Sequence, residues 1–219
     1  KRGMSATIDE ERFATFFGGA PILRVQGRLF PVEVNYANDT PYNLSKMVTA
    51  CAEKIVELVR KSHGDILAFM PDERSIKQVC EQVEKAVGRA VRVLPLYGAQ
   101  APWEQKQVFE MNGGRRVIVA TNIAETSLTI EGVRHVVDSG LIKSMEYVSA
   151  SMSSLQVVDH SQAGCEQRRG RAGRTQPGVC HRLFTKGDFE ARPAYTEPEI
   201  KRMALDAVLL HLRVLGFSM

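Results

Sequence analysis

Short apolar runs alternating with stretches of helical spacing restrict this chain to one kind of architecture. Residues 66–70, 91–96, 116–120 and 134–138 are compact segments with apolar centres. Strands buried on both faces read as near-continuous apolar runs, whereas strands with one wet face alternate. Residues 73–87 carry Ile76, Val79, Cys80 and Val83 at helical spacing, and a shorter helix is expected over 102–110. Upstream, Val32 to Tyr36 alternate as a strand should. Leu44, Met47, Val48, Cys51, Ile55, Leu58 and Val59 then mark a helix over 43–62 that Gly64 ends. Downstream, a helix over 161–170 and a strand over 179–184 complete the set. Alternation of this kind predicts an α/β fold with a mainly parallel central sheet covered by helices on both sides.

Two regions break that rhythm. Leu141 to Val148, a Ser/Ala-rich turn and Leu155 to Val158 predict a β-hairpin over 141–158 that projects from the domain. The segment 197–215, with Ile200, Met203, Ala204, Ala207, Val208, Leu210, Leu212 and Leu215, predicts an amphipathic helix that closes at Gly216. Residues 1–20 contain Phe13, Phe16 and Phe17 and run into the breaker cluster Gly18-Gly19-Ala20-Pro21. At 219 residues the chain suits one α/β domain of ordinary size with short extensions.

Composition narrows the chemistry further. No apolar run reaches the roughly 18 residues of a membrane span, and the first residues lack the apolar core of a signal peptide, so no membrane role is expected. Cys51, Cys80, Cys165 and Cys180 are scattered, which predicts reduced thiols of an intracellular protein rather than a disulfide framework or a zinc site. A net charge of +4 permits a polyanionic partner without demanding one.

The sharpest feature is Gln167-Arg168-Arg169-Gly170-Arg171-Ala172-Gly173-Arg174. Arg168, Arg171 and Arg174 are spaced by three, so they can share one edge of a helix. Planar, permanently charged guanidinium forks match phosphate oxygens. Gly170 and Gly173 leave room for a phosphate chain or another backbone to approach. A plain solvated basic face is the bland alternative, but two glycines inside a helix would cost about 1 kcal/mol each for no structural return. The arrangement therefore favours arginines that stabilise charge on a transferring phosphoryl group. The second feature is Ala120-Thr121-Asn122-Ile123-Ala124-Glu125-Thr126-Ser127-Leu128-Thr129-Ile130. It leaves the carboxyl end of a buried strand, where parallel α/β sheets hold ligands. Its hydroxyl and amide groups suit phosphate or sugar, and they suit a capped loop equally well.

Together these two segments resemble motifs V and VI of the DEAH-box RNA helicases. Ser5-Ala6-Thr7 resembles motif III, Gly27-Arg28-Leu29-Phe30-Pro31-Val32 the entry into the second motor domain, and Gly64-Asp65-Ile66-Leu67-Ala68-Phe69 motif IV. Leu96-Tyr97-Gly98, Gln107-Val108-Phe109, Pro177 to Phe184 and Glu197 to Arg202 also resemble family segments, so the likeness spans nearly the whole chain. It implies a RecA-like three-layer sandwich with a projecting β-hairpin. Residues 1–24 would be the tail of a first RecA-like domain and linker, 25–187 the second domain, and 188–219 a connector helix. It also implies ATP hydrolysis coupled to 3′-to-5′ translocation and remodelling of single-stranded RNA.

Residue by residue, the resemblance implies that Arg171 and Arg174 reach the β- and γ-phosphates and that Gln167 orders the attacking water or the γ-phosphate. Arg168 would support the motif without touching nucleotide. Phe109 would stack on adenine, or else serve as a core residue of its helix. Ser127, Thr129 and Glu131 would lie near the nucleotide, with Glu131 standing where Asp is commoner. Thr121, Asn122 and Thr126 would grip the RNA backbone. The chain contains neither a G-x-x-x-x-G-K-[ST] loop nor an Asp-Glu-x-His, so ATP and Mg²⁺ would be held mainly by the first RecA-like domain. Alone, the 219 residues should be inactive. A G-patch-type activator is a further partner class that the family allows, and the nucleus or the cytoplasm the expected compartment. Departures from the family pattern are Asp72 in place of Gly, the reversed charge at Arg74, the loop Ala99-Gln100-Ala101-Pro102, and Trp103, expected to pack at a loop edge. Two other functions fit the fold: a DNA-directed translocase and a non-catalytic module that docks RNA or protein.

Overall fold

A computed structural model describes residues 10–19, 21–22, 30–111, 114–125, 129–149, 152–197 and 206–216. Six strands make one sheet: β1 (Val32–Tyr36), β2 (Asp65–Phe69), β3 (Arg92–Leu96), β4 (Arg116–Ala120), β5 (Val133–Asp138) and β8 (Gly178–Arg182). Their spatial order is β1-β8-β5-β2-β4-β3, and every pairing is parallel. Of the four runs read as doubly buried, β5, β2 and β4 sit inside the sheet, and all residues of β2 and β4 are buried. The run 91–96 forms β3, an edge strand that is only partly buried because no strand among the described residues covers its outer side.

The two faces are covered differently. On one, α2 (Leu44–Lys61) and α3 (Glu73–Val87) press Met47, Cys51, Ile55, Ile76, Val79 and Val83 onto Ile66, Ala68, Val117 and Val119. Asn43 starts α2 by accepting the Lys46 N–H at 2.9 Å, and Arg115 ends it by donating to the carbonyls of Leu58, Val59 and Ser62. Asp72, where the family has Gly, is the N-cap of α3. Its carboxylate accepts from Ser75 N at 2.8 Å, and the Ser75 hydroxyl lies 3.4 Å from Asp72 N, which closes a capping box. The altered motif thus has a structural use, while Arg74 simply faces solvent.

The opposite face holds Leu67, Phe69, Ile118, Ala120 and Val136. It is covered by Val108, by Ala124 and Ile130 of the loop between β4 and β5, and by Ala172. On this side the loops that carry the polar motifs are themselves the third layer. α4 (Pro102–Lys106) and α5 (Gln162–Arg169) flank it. The helix expected over 102–110 stops at Lys106 and tightens into a 3-10 turn, Gln107–Phe109. Trp103 does not pack: it is 64% exposed on α4.

The hairpin forms as β6 (Leu141–Ser149) and β7 (Met152–Asp159), an antiparallel pair that joins no other strand among the described residues. Two short helices were not anticipated, α1 (Glu10–Phe16) and α6 (Lys186–Ala191). Of the long C-terminal helix, α7 (Asp206–Val214) is described, and residues 198–205 lie outside the described residues. Leu210, Val214 and Leu215 stay exposed, so its apolar side chains at these positions find no cover here. All four cysteines are free and buried. No helix among the described residues is long and apolar enough to cross a membrane.

Candidate nucleotide and RNA interface

The interface is built on the loop-covered face. β4 ends at Ala120, Thr121 donates its backbone N–H to Leu96 O at 3.1 Å, and the chain coils into a 3-10 turn, Asn122–Ala124. Buried Ala124 anchors the turn, leaving Asn122 exposed and Thr121 half-buried at the carboxyl end of the sheet. Glu125, next in the chain, points inward and is 7% exposed.

Glu125 meets the arginine segment through Arg168. The Ser161 side chain caps α5 by accepting from Gly164 N at 3.2 Å. One helical turn after Cys165, Arg168 falls on the buried side with no solvent exposure. Its Nε donates to Glu125 Oε1 at 2.7 Å, one Nη to Asp138 Oδ1 at 2.8 Å and the other to the Leu141 carbonyl at 3.0 Å. The guanidinium also lies 4.9 Å over the Phe69 ring. His160 Nε2 is 3.3 Å from the second oxygen of Glu125. Burial is the largest single influence and raises both carboxyls. The charge and hydrogen bonds of Arg168, with His160 and, at Asp138, the Gly140 N–H, together outweigh it and hold Asp138 and Glu125 below their ordinary values. Three elements, the motif V loop, β5 and α5, are thereby locked by one cation.

The three arginines do not share one helix edge. α5 stops at Arg169, and residues 170–174 form turns. Past that end, Gly173 meets the backbone just ahead of β1. Its carbonyl accepts the Phe30 N–H at 2.8 Å, and a Cβ there would lie 2.6 Å from Phe30 O and 2.7 Å from Val32 Cγ2. Gly173 thus admits another backbone. Gly170, whose added Cβ would meet nothing closer than 3.4 Å, is not under that constraint.

Past the helix, Arg171 and Arg174 line a shallow depression with Leu67, Ala124, Ile130 and Val133. Arg174 Nη1 donates to Thr129 Oγ1. Burial, and then the neighbouring Arg174, lowers Arg171 to about 10, while Glu125 pulls the other way. Arg174 is lowered by burial too. Both remain cations at neutral pH, and two like charges in a half-dry depression favour an incoming polyanion. Gln167 sits half-buried one residue before Arg168.

Phe109 and Glu131 lie near the amino ends of β4 and β5. Val108, not Phe109, is the core residue of the 3-10 turn, which leaves Phe109 38% exposed. Glu131 is exposed, and its carbonyl accepts from Arg116. The structure therefore brings Thr129 to Arg174, and sets Thr121 and Asn122 toward the other end of the same face. Thr126, Ser127 and the Ser5-Ala6-Thr7 stretch lie outside the described residues. Sequence reasoning overlooked Glu125, Asp138 and His160, and also the pair Asp65–Arg116. The available signal was a charged residue abutting a buried apolar run, as at Asp65, Arg116 and Asp138.

A parallel six-stranded sheet with helices packed on one face and polar loops on the other is the arrangement of a RecA-like domain. Comparison with known proteins refines this. The model of the helicase conserved C-terminal domain matches residues 50–176. The chain is 42% identical over 221 residues to the ATP-dependent RNA helicase HrpA of Escherichia coli K12, an alignment covering 98% of the chain and 17% of that protein. It is 41% identical over 224 residues to the human probable ATP-dependent RNA helicase DHX34, covering 96% of the chain and 20% of the relative. The crystal structure of the Escherichia coli DEAH/RHA helicase HrpB superposes with a TM-score of 0.88 at 36% identity, covering 99% of this chain and 28% of that one. The chain belongs to the helicase conserved C-terminal domain family, as the second RecA-like domain of the DEAH-box type. It spans about a fifth of the length of these curated relatives.

Proposed function

We propose that this domain is the second motor half of an ATP-dependent RNA helicase, with ATP held between it and a first RecA-like domain. The observation that carries the reading is the pair Arg171 and Arg174, set on one turn by the buried Arg168 anchor and facing a common depression. In this role the two arginines contact the β- and γ-phosphates and stabilise charge as the γ-phosphoryl group transfers. Gln167 orders the attacking water. Phe109 stacks on adenine, and Ser127, Thr129 and Glu131 border the nucleotide. Thr121, Asn122 and Thr126 grip the backbone of single-stranded RNA, a sequence-independent contact. Closure and opening of the cleft would step the strand in the 3′-to-5′ direction, with the hairpin 141–158 guiding or parting it.

The side chains present suit ATP's triphosphate, since they are cations and hydroxyls. Among the described residues no group of three or more His, Cys, Asp or Glu side chains gathers to hold a metal ion. In this reading Mg²⁺ would be held mainly by the first RecA-like domain, where it would neutralise phosphate charge. The division at 24/25 and 187/188, an intracellular location in nucleus or cytoplasm, and recruitment of a G-patch-type activator belong to the same reading.

The test is ATP hydrolysis by the full-length protein, with and without single-stranded RNA, beside its Arg171→Ala variant. RNA-stimulated turnover that drops by on the order of 10³–10⁵ in the variant is the expected outcome. Duplex unwinding that persists in Arg171→Ala, or equal stimulation by DNA, would replace this reading with another.

A further inference from the structure

At the amino end of the central sheet lies a second buried ion pair. Arg116, the first residue of β4, and Asp65, the first of β2, are 2% and 12% exposed at their side chains. Asp65 Oδ1 accepts the Arg116 backbone N–H at 2.8 Å, while Oδ2 accepts Arg116 Nε at 2.8 Å and also Nη2. Three N–H donors remain on the fork once the carboxylate is served, and two of them are used on backbone carbonyls. One Nη donates to the Val108 carbonyl at 2.7 Å and the other to the Glu131 carbonyl.

These two carbonyls belong to the residues that set the nucleotide-facing side chains. Val108 immediately precedes Phe109, and Glu131 is itself exposed. The loop is held from its other side as well. Asp65 N donates to Gly132 O at 3.1 Å and Gln176 Nε2 to the same oxygen at 3.3 Å. Gly132 has φ +85°, and a Cβ there would lie 2.9 Å from Asp65 Oδ2, so the loop lies directly on the pair. A buried ion pair is a weak source of stability, because desolvation offsets the attraction. Retention of a planar fork that makes four hydrogen bonds to three acceptor atoms points instead to geometry.

We infer that Arg116, oriented by Asp65, is a positioning residue that fixes the spacing between Phe109 and Glu131, the two walls between which the base and ribose of the nucleotide fit. The inference rests on the reading of Phe109 as the base-stacking residue. Lysine can keep the charge opposite Asp65, but a single ammonium cannot reach Asp65, Val108 O and Glu131 O together in these directions.

The experiment compares Arg116→Lys, Phe109→Ala and the double variant in the full-length protein, by RNA-stimulated ATP hydrolysis and thermal unfolding. In Arg116→Lys we expect KM for ATP to rise about tenfold with kcat within about twofold, and the double variant to be no worse than the poorer single one. Loss of kcat at unchanged KM, in step with a lost folded fraction, would overturn the inference and leave Arg116 a structural residue. So would effects on KM that multiply in the double variant. An unchanged KM in Phe109→Ala overturns the base-stacking reading itself, and the inference with it, whatever Arg116→Lys does. Asp65→Asn keeps one acceptor oxygen, turns the other into an N–H donor and removes the charge, which frees the fork to tilt. Should Arg116→Lys not accumulate as folded protein, a KM raised about threefold in Asp65→Asn supports the inference and an unchanged KM overturns it.

Discussion

Arg168 and Asp138 meet at 2.8 Å with neither side chain reached by solvent, and Glu125 holds the same guanidinium from the other side at 2.7 Å. Removing the cation strands two buried carboxyls. Arg168→Met should therefore destabilise the 219-residue chain at pH 7 by about 3–5 kcal/mol, the usual cost of breaking a buried pair from one side. The pH dependence has a definite sign. In the native protein both carboxyls are held below ordinary values, so the cluster's stability is present above about pH 4.5 and is lost as pH falls through those depressed values. Without Arg168, burial dominates and raises both, so the variant is penalised more as pH rises. Urea midpoints at pH 7 and pH 4.5 should show the gap between the two proteins narrowing on acidification. A gap that is constant with pH would mean that the carboxyls are not what Arg168 holds.

The two glycines of the arginine segment should part company. Alanine at Gly173 would put a Cβ 2.6 Å from Phe30 O, a backbone atom that cannot step aside, so a loss of about 1–3 kcal/mol is expected. Gly170 has φ −60° at the C-cap and an added Cβ would make only ordinary contact, so Gly170→Ala should stay within about 0.5 kcal/mol of the parent. Thermal unfolding of both variants decides it. Equal losses would mean that the approach of Phe30 is not what fixes Gly173.

How far the sequence could be read depended on how local the cause was. β2, β4 and β5 were legible because continuous burial leaves its mark residue by residue. α3 was legible because Ile76, Val79, Cys80 and Val83 recur at helical spacing, whereas its Asp72 cap was not. The arrangement of the arginines was not. Spacing by three suggested a shared helix edge, but α5 ends at Arg169, and the turn that follows is pinned through the Gly173 backbone by Phe30, well over a hundred residues away in the chain. Arg168 turning inward and Arg116 gathering two distant loops are likewise products of strand order, which no local pattern encodes. The C-terminal helix shows the reverse case, in which an amphipathic period is plain while Leu210 and Leu215 remain exposed.

His181 should make the fold acid-sensitive in a range of its own. Burial, followed by His135 stacked 5.7 Å away and by Lys54, lowers His181 to about 4, against opposing pulls from Glu57 and Glu33. A histidine with a depressed native value leaves its stability intact above the unfolded value near 6.5 and forfeits it as pH falls toward 4. His181→Asn removes that titration. Its urea midpoint should vary less than the parent's between pH 6.5 and 4.5, and a parallel course for the two proteins would rule His181 out as the group responsible.

Thr129 poses a choice between two jobs, contact with the nucleotide and support of Arg174, and a graded series separates them. Its hydroxyl accepts from Arg174 Nη1, so Thr129→Val removes an acceptor while keeping the branched shape. If support of Arg174 is the job, the loss is one hydrogen bond of about 1 kcal/mol, or about fivefold in kcat/KM for RNA-stimulated ATP hydrolysis by the full-length protein. Arg174→Ala, by contrast, should cost on the order of 10³. Thr129→Ser keeps the hydroxyl and should stay close to the parent, and adding Thr129→Val to Arg174→Ala should cost nothing further, because the side chain it supported is gone. A Thr129→Val protein whose loss persists in full on the Arg174→Ala background would place the hydroxyl on the nucleotide itself. A Thr129→Ser protein as poor as Thr129→Val would instead put the weight on the methyl group, and neither hydrogen bond would be the reason the residue matters.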